Sequence, residues 1–395
     1  MLYSINNGDY TVCCHSELGL PKDSNPTQPA NFNEDSIVDV WNNNYFQQLR
    51  LDLINGVKNK ACATCWKMES NKEFSFRQKY TSPYSEEFCK NIIDDTIKNN
   101  GKMTNMPSLI QIKLGNTCNL KCIMCNQASS SLISEEVEDW KNEQVVIPKW
   151  LKWIDKWEIN WKGVDDTSDL DTIYKNLSLG LLNTDQIQLI GGEPLVNPMT
   201  TLILKRLVEA DAAKNIKIWF ISNLTSLTDN IVELLSEFKH SVISVSWDHV
   251  NIEKFRFIRY PADYSHFKKN LDKLLSSKIE SKVSITINIF NVYDIEEIFE
   301  EFEKVSKTME GEYTINLQYV ENPNYFSIRY LETEQKEKLN QEINDYLNRT
   351  TDHKIWRDNP STYQQLRSIS KTMKLTLNDF DEVVKERTRV LKIYD

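Results

Sequence analysis

Leu109-Ile-Gln-Ile-Lys-Leu-Gly-Asn-Thr-Cys118-Asn-Leu-Lys-Cys122-Ile-Met-Cys125 is the stretch on which the reading of this chain turns. An apolar strand over Leu109–Leu114 runs into three cysteines spaced Cys-x3-Cys-x2-Cys. A four-iron cluster is ordinarily held by four thiolates, so three on one short loop leave an iron open to a substrate or cofactor. A zinc site more often pairs two Cys-x2-Cys or Cys/His units, and no histidine lies near this loop. A disulfide framework belongs to small secreted chains. The start, Met1-Leu-Tyr-Ser-Ile-Asn-Asn-Gly-Asp, has neither the basic nor the apolar part of a signal peptide.

Outward from that loop, the sequence beyond Ser108 alternates short apolar runs with longer charged stretches of helical period, the pattern of a parallel α/β architecture. Strands are predicted near Leu109–Leu114, Gln186–Ile190, Ile216–Ile221, Val242–Trp247, Val283–Ile289 and Tyr313–Val320. Helices are predicted near Ser130–Lys141, Pro198–Ala210, Thr228–Phe238, Tyr264–Leu275 and Ile295–Val305. Functional residues then belong just after the C-terminal ends of strands, where β/α barrels build their sites. The stretch from Asn142 to Leu181 interrupts the alternation with Trp150, Trp153, Trp157 and Trp161. Their helical spacing reads as an apolar face packed on the barrel before it reads as a substrate wall. The domain expectation is residues 1–105, 106–321 and 322–395, with a linker over Asn99–Pro107. The last region reads as helices over Glu332–Asn348 and Asn378–Tyr394, separated by a loop over Asp352–Thr362 that Pro360 breaks.

At 395 residues the chain is long enough for two or three domains. Its net charge of −10 and its lack of a basic track argue against a nucleic-acid substrate. No window approaches the roughly 18 apolar residues of a membrane span, and the expected location is the cytoplasm. All eight cysteines lie in the first third: Cys13, Cys14, Cys62, Cys65, Cys89, Cys118, Cys122 and Cys125. In a reducing compartment such clustering reads as metal ligation before disulfides. Five thiols remain beyond the loop, enough for one further four-ligand cluster.

The strand Gln186–Ile190 leads directly into Gly191-Gly192-Glu193-Pro194, where two glycines let backbone carbonyls approach a ligand without a Cβ clash. Together with the cysteine loop, this motif resembles the radical S-adenosylmethionine (SAM) superfamily. The resemblance implies a partial (β/α)6 barrel and a [4Fe-4S] cluster on Cys118, Cys122 and Cys125. The methionyl amine and carboxylate of SAM would chelate the open iron. It implies that Gly191, Gly192, Glu193 and Pro194 hold the SAM ammonium. Ser222-Asn223-Leu224 is similar to the Thr-Asn-Gly of relatives, with Leu224 in place of glycine. Ser246 and Asp248 match the Ser-x-Asp-Gly that meets the ribose, with His249 in place of glycine and read as a solvated loop residue. Arg259, beside Tyr260-Pro261, corresponds to an arginine that pairs with the SAM carboxylate, ahead of Arg256. Asn288 and Asn291 are adenosine candidates, and Met124 stands where many relatives carry an aromatic residue.

The first hundred residues resemble the twitch domain, a shortened SPASM domain that binds one auxiliary [4Fe-4S] cluster, here placed before the barrel. Cys62 and Cys65 lead the candidate ligands, Cys13 follows, and Cys14 and Cys89 compete for the last place; a zinc knuckle on the same pair is the alternative. The expected function is reductive cleavage of SAM to a 5'-deoxyadenosyl radical that takes hydrogen from a peptide or small-molecule substrate. An external donor such as flavodoxin or ferredoxin would supply the electron. The rivals are a non-catalytic iron–sulfur or zinc protein on the same fold, and a nucleic-acid-modifying enzyme that a basic groove would reveal.

Overall fold

The computed structural model describes residues 1–16, 19–143, 164, 169–309 and 312–373. Trp150, Trp153, Trp157, Trp161 and the helix expected over Asn378–Tyr394 lie outside the described residues. Among the described residues there are eight strands: β1 Leu2–Ser4, β2 Tyr10–Thr11, β3 Leu109–Lys113, β4 Gln186–Ile190, β5 Lys217–Ser222, β6 His240–Ser246, β7 Glu280–Ile287 and β8 Thr314–Tyr319. Helices separate each consecutive pair from β3 to β8. The fold is therefore α/β, with the strand and helix order of a partial (β/α)6 barrel. The expected barrel strands recur with ends shifted by at most three residues. No described helix is long and apolar enough to cross a membrane.

The chain divides into two compact units, the first made of Met1–Thr117, Ile159–Trp219 and Glu237–His240. In it β1 pairs antiparallel with β2 and parallel with β3, and β3 runs parallel to β4 with Ile112 opposite Leu189. The sequence pattern gave no warning of β1, because three residues carry too little periodicity to register. Its Tyr3 pairs with Gln111 of β3. The helix Pro198–Glu209 shows how such elements form here: Asn197 caps the Met199 N–H at 3.0 Å and Pro198 occupies the first turn. Met199, Ile203, Leu204 and Leu207 then fall on one fully buried face. Each such side chain contributes about 1.5–3 kcal/mol of burial.

The second unit comprises Cys118–Glu158, Phe220–Ser236 and Ser241–Asp395. Its strands β6, β7 and β8 are parallel. Trp247, fully buried, packs its ring 5.5 Å from Phe267 and 5.1 Å from Phe302. The loop expected over Asp352–Thr362 is instead two short helices, Lys354–Asp358 and Pro360–Arg367. Pro360 starts the second helix, where its missing N–H costs nothing, and so does not break the chain into a loop. Asn359, between them, accepts from Ile315 N–H at 2.6 Å and donates to Tyr313 O at 2.7 Å, occupying backbone groups at the start of β8. Glu303, nearly fully buried, receives the Ile355 N–H at 2.8 Å and the Lys354 N–H at 3.1 Å, with Lys307 at 2.9 Å.

Candidate metal centres

The loop bearing Cys118, Cys122 and Cys125 leaves the C-terminal end of β3 and is pinned by the helix that follows it. The Ser131 hydroxyl lies 3.2 Å from both the N–H and the carbonyl of Cys118, and Ser130, the N-cap of helix Ser131–Asn142, donates to Leu120 O at 2.7 Å. A turn from Cys125 N–H to Cys122 O at 2.9 Å brings the second and third cysteines round. On its other side the loop forms two backbone bonds, Lys121 N–H to Tyr260 O at 2.5 Å and Ile123 N–H to Ile258 O at 3.0 Å. Burial, with Cys122 adding to it, pushes the Cys125 thiol up to about 12. A thiol so placed becomes a thiolate only when a cation takes the proton's place. The donor set, three soft sulfurs on a half-buried loop, fits an iron–sulfur cluster.

Gly191 and Gly192 follow β4 with φ of +94° and +48°. A Cβ on Gly192 would lie 2.1 Å from Thr117 O, and one on Gly191 would lie 2.7 Å from Gly115 O. Close backbone approach and a left-handed conformation thus both require glycine here. Glu193, 1% exposed, donates its N–H to Thr117 O at 2.8 Å and accepts the Leu195 N–H at 3.1 Å. Thr117 is the residue before Cys118, so the motif grips the root of the cysteine loop. Pro194 is buried beside it.

Asn223, at the end of β5, is buried and linked to the loop: its Nδ2 donates to Asn119 Oδ1 at 3.0 Å, and its Oδ1 accepts from Thr225 N–H at 2.9 Å. Leu224 replaces the glycine of the expected motif yet keeps its left-handed backbone, φ +56°. Its buried side chain, and the bond from Asn270 Nδ2 to its carbonyl at 2.9 Å, hold it there. Ser246 is half-buried at the end of β6, and its hydroxyl makes no hydrogen bond among the described residues. Asp248 sits differently from a ribose partner. It is fully buried, with Oδ1 accepting Thr286 N–H at 2.8 Å and Oδ2 paired with Arg259 Nη2 at 2.7 Å. Arg259 is 8% exposed and places Nη1 3.9 Å from Cys122 Sγ. Burial opposes the Arg259 cation, but Asp248 and Cys122 hold its pKa above the usual value.

Asn288, fully buried, spends its amide within its own loop, donating to Thr286 O at 3.0 Å and accepting Phe290 N–H at 2.9 Å. Asn291 likewise donates to Asp248 O at 3.1 Å and Thr286 O at 3.0 Å. Both brace the end of β7. His249, expected in solvent, is fully buried: its Nδ1 accepts Asn251 N–H at 2.9 Å, so Nε2 carries the proton that meets Asp294 at 3.0 Å. Lys254 also reaches that carboxylate at 2.6 Å. His249, Asp294 and Glu297 stand close together, but the proton on Nε2 and the Lys254 cation suit a charge-balanced brace and not a metal. Met124, with Ile123, Ile289 and Phe290, packs against the cluster of Val320, Tyr325 and Phe326.

In the N-terminal region, four of the five remaining cysteines line one largely apolar cavity of about 240 Å³: Cys13, Cys14, Cys62 and Cys65. Cys13 follows β2, its carbonyl closing a turn with Ser16 N–H at 3.1 Å. Cys62 and Cys65 sit at the start of helix Ala63–Ser70, whose entry Asn59 fixes by accepting the Ala61 N–H at 3.0 Å. Burial pushes Cys62 up to about 11, with Cys13 and Cys65 adding to the shift. Burial also raises Cys13 and Cys14. Four soft sulfur donors around one cavity form a donor set that fits a fully ligated cluster. Cys89 lies on helix Glu86–Lys98 and is not among the residues lining this cavity. Sequence spacing could not separate it from Cys14, since both are far from the Cys-x2-Cys pair along the chain.

Comparison with known proteins adds two domain matches. Residues 112–305 match the radical SAM superfamily, and residues 5–66 match the SPASM iron–sulfur cluster-binding domain. Among solved structures, the chain is similar to native anSMEcpe with bound AdoMet, at 17% identity over 62% of this chain and 61% of that one, with a TM-score of 0.41. It is also similar to SuiB from Streptococcus suis bound to the precursor peptide SuiA, at 13% identity over 78% and 64%, TM-score 0.39. A third is TsrM, a radical S-adenosylmethionine methyltransferase from Kitasatospora setae, at 10% identity over 54% and 36%, TM-score 0.34. The chain thus spans less than two thirds of the length of each. Curated proteins include no match.

Proposed function

Because this chain belongs to the radical SAM superfamily and carries an N-terminal SPASM-type iron–sulfur domain, we propose that it cleaves SAM reductively and uses the product radical on a peptide or small molecule. The observation that carries this reading is the loop of Cys118, Cys122 and Cys125, braced on both flanks with three thiols and no fourth protein ligand beside them in sequence. A [4Fe-4S] cluster held on these thiols would supply the electron for reductive cleavage of the SAM C5'–S bond, the chemistry that yields methionine and, after hydrogen abstraction from substrate, 5'-deoxyadenosine.

This chain's residues hold and orient. Cys118, Cys122 and Cys125 would hold the cluster through three thiols, leaving a coordination place for SAM. Gly191, Gly192, Glu193 and Pro194 receive the ammonium, the glycines permitting backbone approach and the buried Glu193 carboxylate matching its charge. Ser246 offers the ribose a hydroxyl that has no other described partner. Asn223 ties the β5 end to the loop through Asn119. Cys13, Cys14, Cys62 and Cys65 would hold an auxiliary cluster through four protein thiols, a ligand set that favours electron transfer there over direct substrate binding. The domain reading remains 1–105, 106–321 and 322–395, the location cytoplasmic and the electron donor a flavodoxin or ferredoxin.

The test is release of 5'-deoxyadenosine by anaerobically reconstituted full-length protein with SAM and a strong reductant. The native chain should release it and the Cys118→Ala, Cys122→Ala, Cys125→Ala triple variant should not. Absence of release from native protein with full iron and sulfide would instead favour a binding or electron-transfer protein.

A further inference from the structure

The segment Ile258–Tyr260 runs alongside the cysteine loop and is bonded to it at two points, through Ile258 O and Tyr260 O. Those bonds go to Ile123 and Lys121, the two neighbours of Cys122. Arg259 is therefore held opposite Cys122 by the backbone before its side chain makes any contact. Its Nη1 lies 3.9 Å from Cys122 Sγ, and Nη2 is paired with Asp248 at 2.7 Å. Asp248 has no freedom of its own: it is fully buried and takes the Thr286 N–H at 2.8 Å from β7. The guanidinium is thus fixed from both ends, and its neighbour carboxylate already balances its charge.

We propose that Arg259 is a positioning residue for the cluster and not the grip for the SAM carboxylate: it donates a hydrogen bond to the Cys122 thiolate, and the Asp248–Arg259 pair sets the reduction potential of the cluster on this loop. The inference rests on the function proposed above. Hydrogen bonds to ligating sulfurs and charge close to the cluster stabilise the added electron, and so raise the potential. A guanidinium that has a carboxylate at 2.7 Å offers little net charge to a second carboxylate, yet its N–H groups still polarise a sulfur. The two members of the pair must then act with opposite sign. Loss of the Arg259 donor leaves Asp248 as a bare negative charge, which disfavours reduction. Conversion of Asp248 to its isosteric amide keeps an acceptor for Thr286 and leaves the arginine's charge unopposed, which favours reduction.

The experiment is an EPR-monitored redox titration of the reconstituted full chain, following the reduced-cluster signal that shifts when SAM is added, with SAM affinity measured in parallel. In Arg259→Gln the reduction equilibrium should fall about tenfold, equivalent to about 59 mV for one electron, with SAM affinity within threefold of native. In Asp248→Asn it should rise by a comparable factor. Should Arg259→Gln fail to retain the cluster, Asp248→Asn decides the sign with the loop's own donors intact. Potentials unchanged in the assembled variants, or both moving in one direction, would overturn the proposal. So would a tenfold loss of SAM affinity in Arg259→Gln at an unchanged potential, which would make Arg259 the carboxylate grip. A native chain with no SAM-responsive signal would overturn the function itself, a failure distinct from these.

Discussion

Substituting Gly192 by alanine should disable the site from a position that bears no functional group. Its φ of +48° lies in the left-handed region, where an L side chain costs about 1–2 kcal/mol. The added Cβ would lie 2.1 Å from Thr117 O, 2.7 Å from the Thr117 carbonyl carbon and 2.8 Å from that of Asn116. Ordinary contact begins near 3.4 Å, so backbone must retreat by about 1.3 Å. That retreat stretches the Glu193 N–H to Thr117 O bond from 2.8 Å beyond hydrogen-bond range, losing a further ~0.5–1.5 kcal/mol. The expected destabilisation is about 1.5–3.5 kcal/mol by chemical denaturation. Thr117 is joined to Cys118, and a shift of about 1 Å at a reacting centre can cost about 100-fold in rate. Release of 5'-deoxyadenosine per cluster should fall by that order. Gly56→Ala is the control, because Gly56 has φ +73° with nothing within 4 Å and bears only the conformational cost. The reasoning is refuted if Gly192→Ala matches Gly56→Ala in stability and stays within threefold of native in release.

Three further outcomes are expected. Leu224→Ala should destabilise the protein by about 2–5 kcal/mol in urea titration; Leu224→Gly, normally the poorer replacement, should equal or exceed Leu224→Ala because glycine relieves φ +56°. The Cys62→Ala, Cys65→Ala double variant should drop from about eight to about four irons per chain, while Cys89→Ala keeps about eight; equal iron in both would remove Cys62 and Cys65 from the auxiliary set. Burial opposes the Glu303 carboxylate, yet the Ile355 N–H, Lys307 and the Lys354 N–H hold its pKa below the usual carboxyl value. Its stabilising contribution is then complete above the unfolded value of about 4.3 and lost as pH falls through the lower folded value. Glu303→Gln should cost about 1–3 kcal/mol at pH 7 and show a smaller stability loss below pH ~4 than native protein; parallel acid profiles would count against the pairing.

The α/β order was legible because each strand from β3 to β8 is a run of four or more apolar or alternating residues with a helix-period stretch after it. The Cys-x3-Cys-x2-Cys run and the paired glycines directly after β4 were legible as patterns for the same reason: each lies within a dozen residues. Residues whose meaning depends on a distant partner were named without their roles being readable. Asp248 and Arg259 were both in view, but nothing eleven residues apart in sequence says that one neutralises the other, or that Arg259 faces a cysteine 137 residues earlier. His249 read as solvated, since a histidine after a strand carries no local mark of the Asp294 that receives its proton. Pro360 read as a break because proline disrupts helix interiors, whereas its place at a first turn depends on where Asn359 is held by β8.

What the sequence by itself determined is therefore what short-range order encodes: periodicity, thiol spacing and glycines where backbone must pass close. Tertiary structure decided which of five thiols share a cavity and which charges balance one another. Those outcomes depend on distances between segments far apart in the chain, and burial then sets how strongly each contact acts.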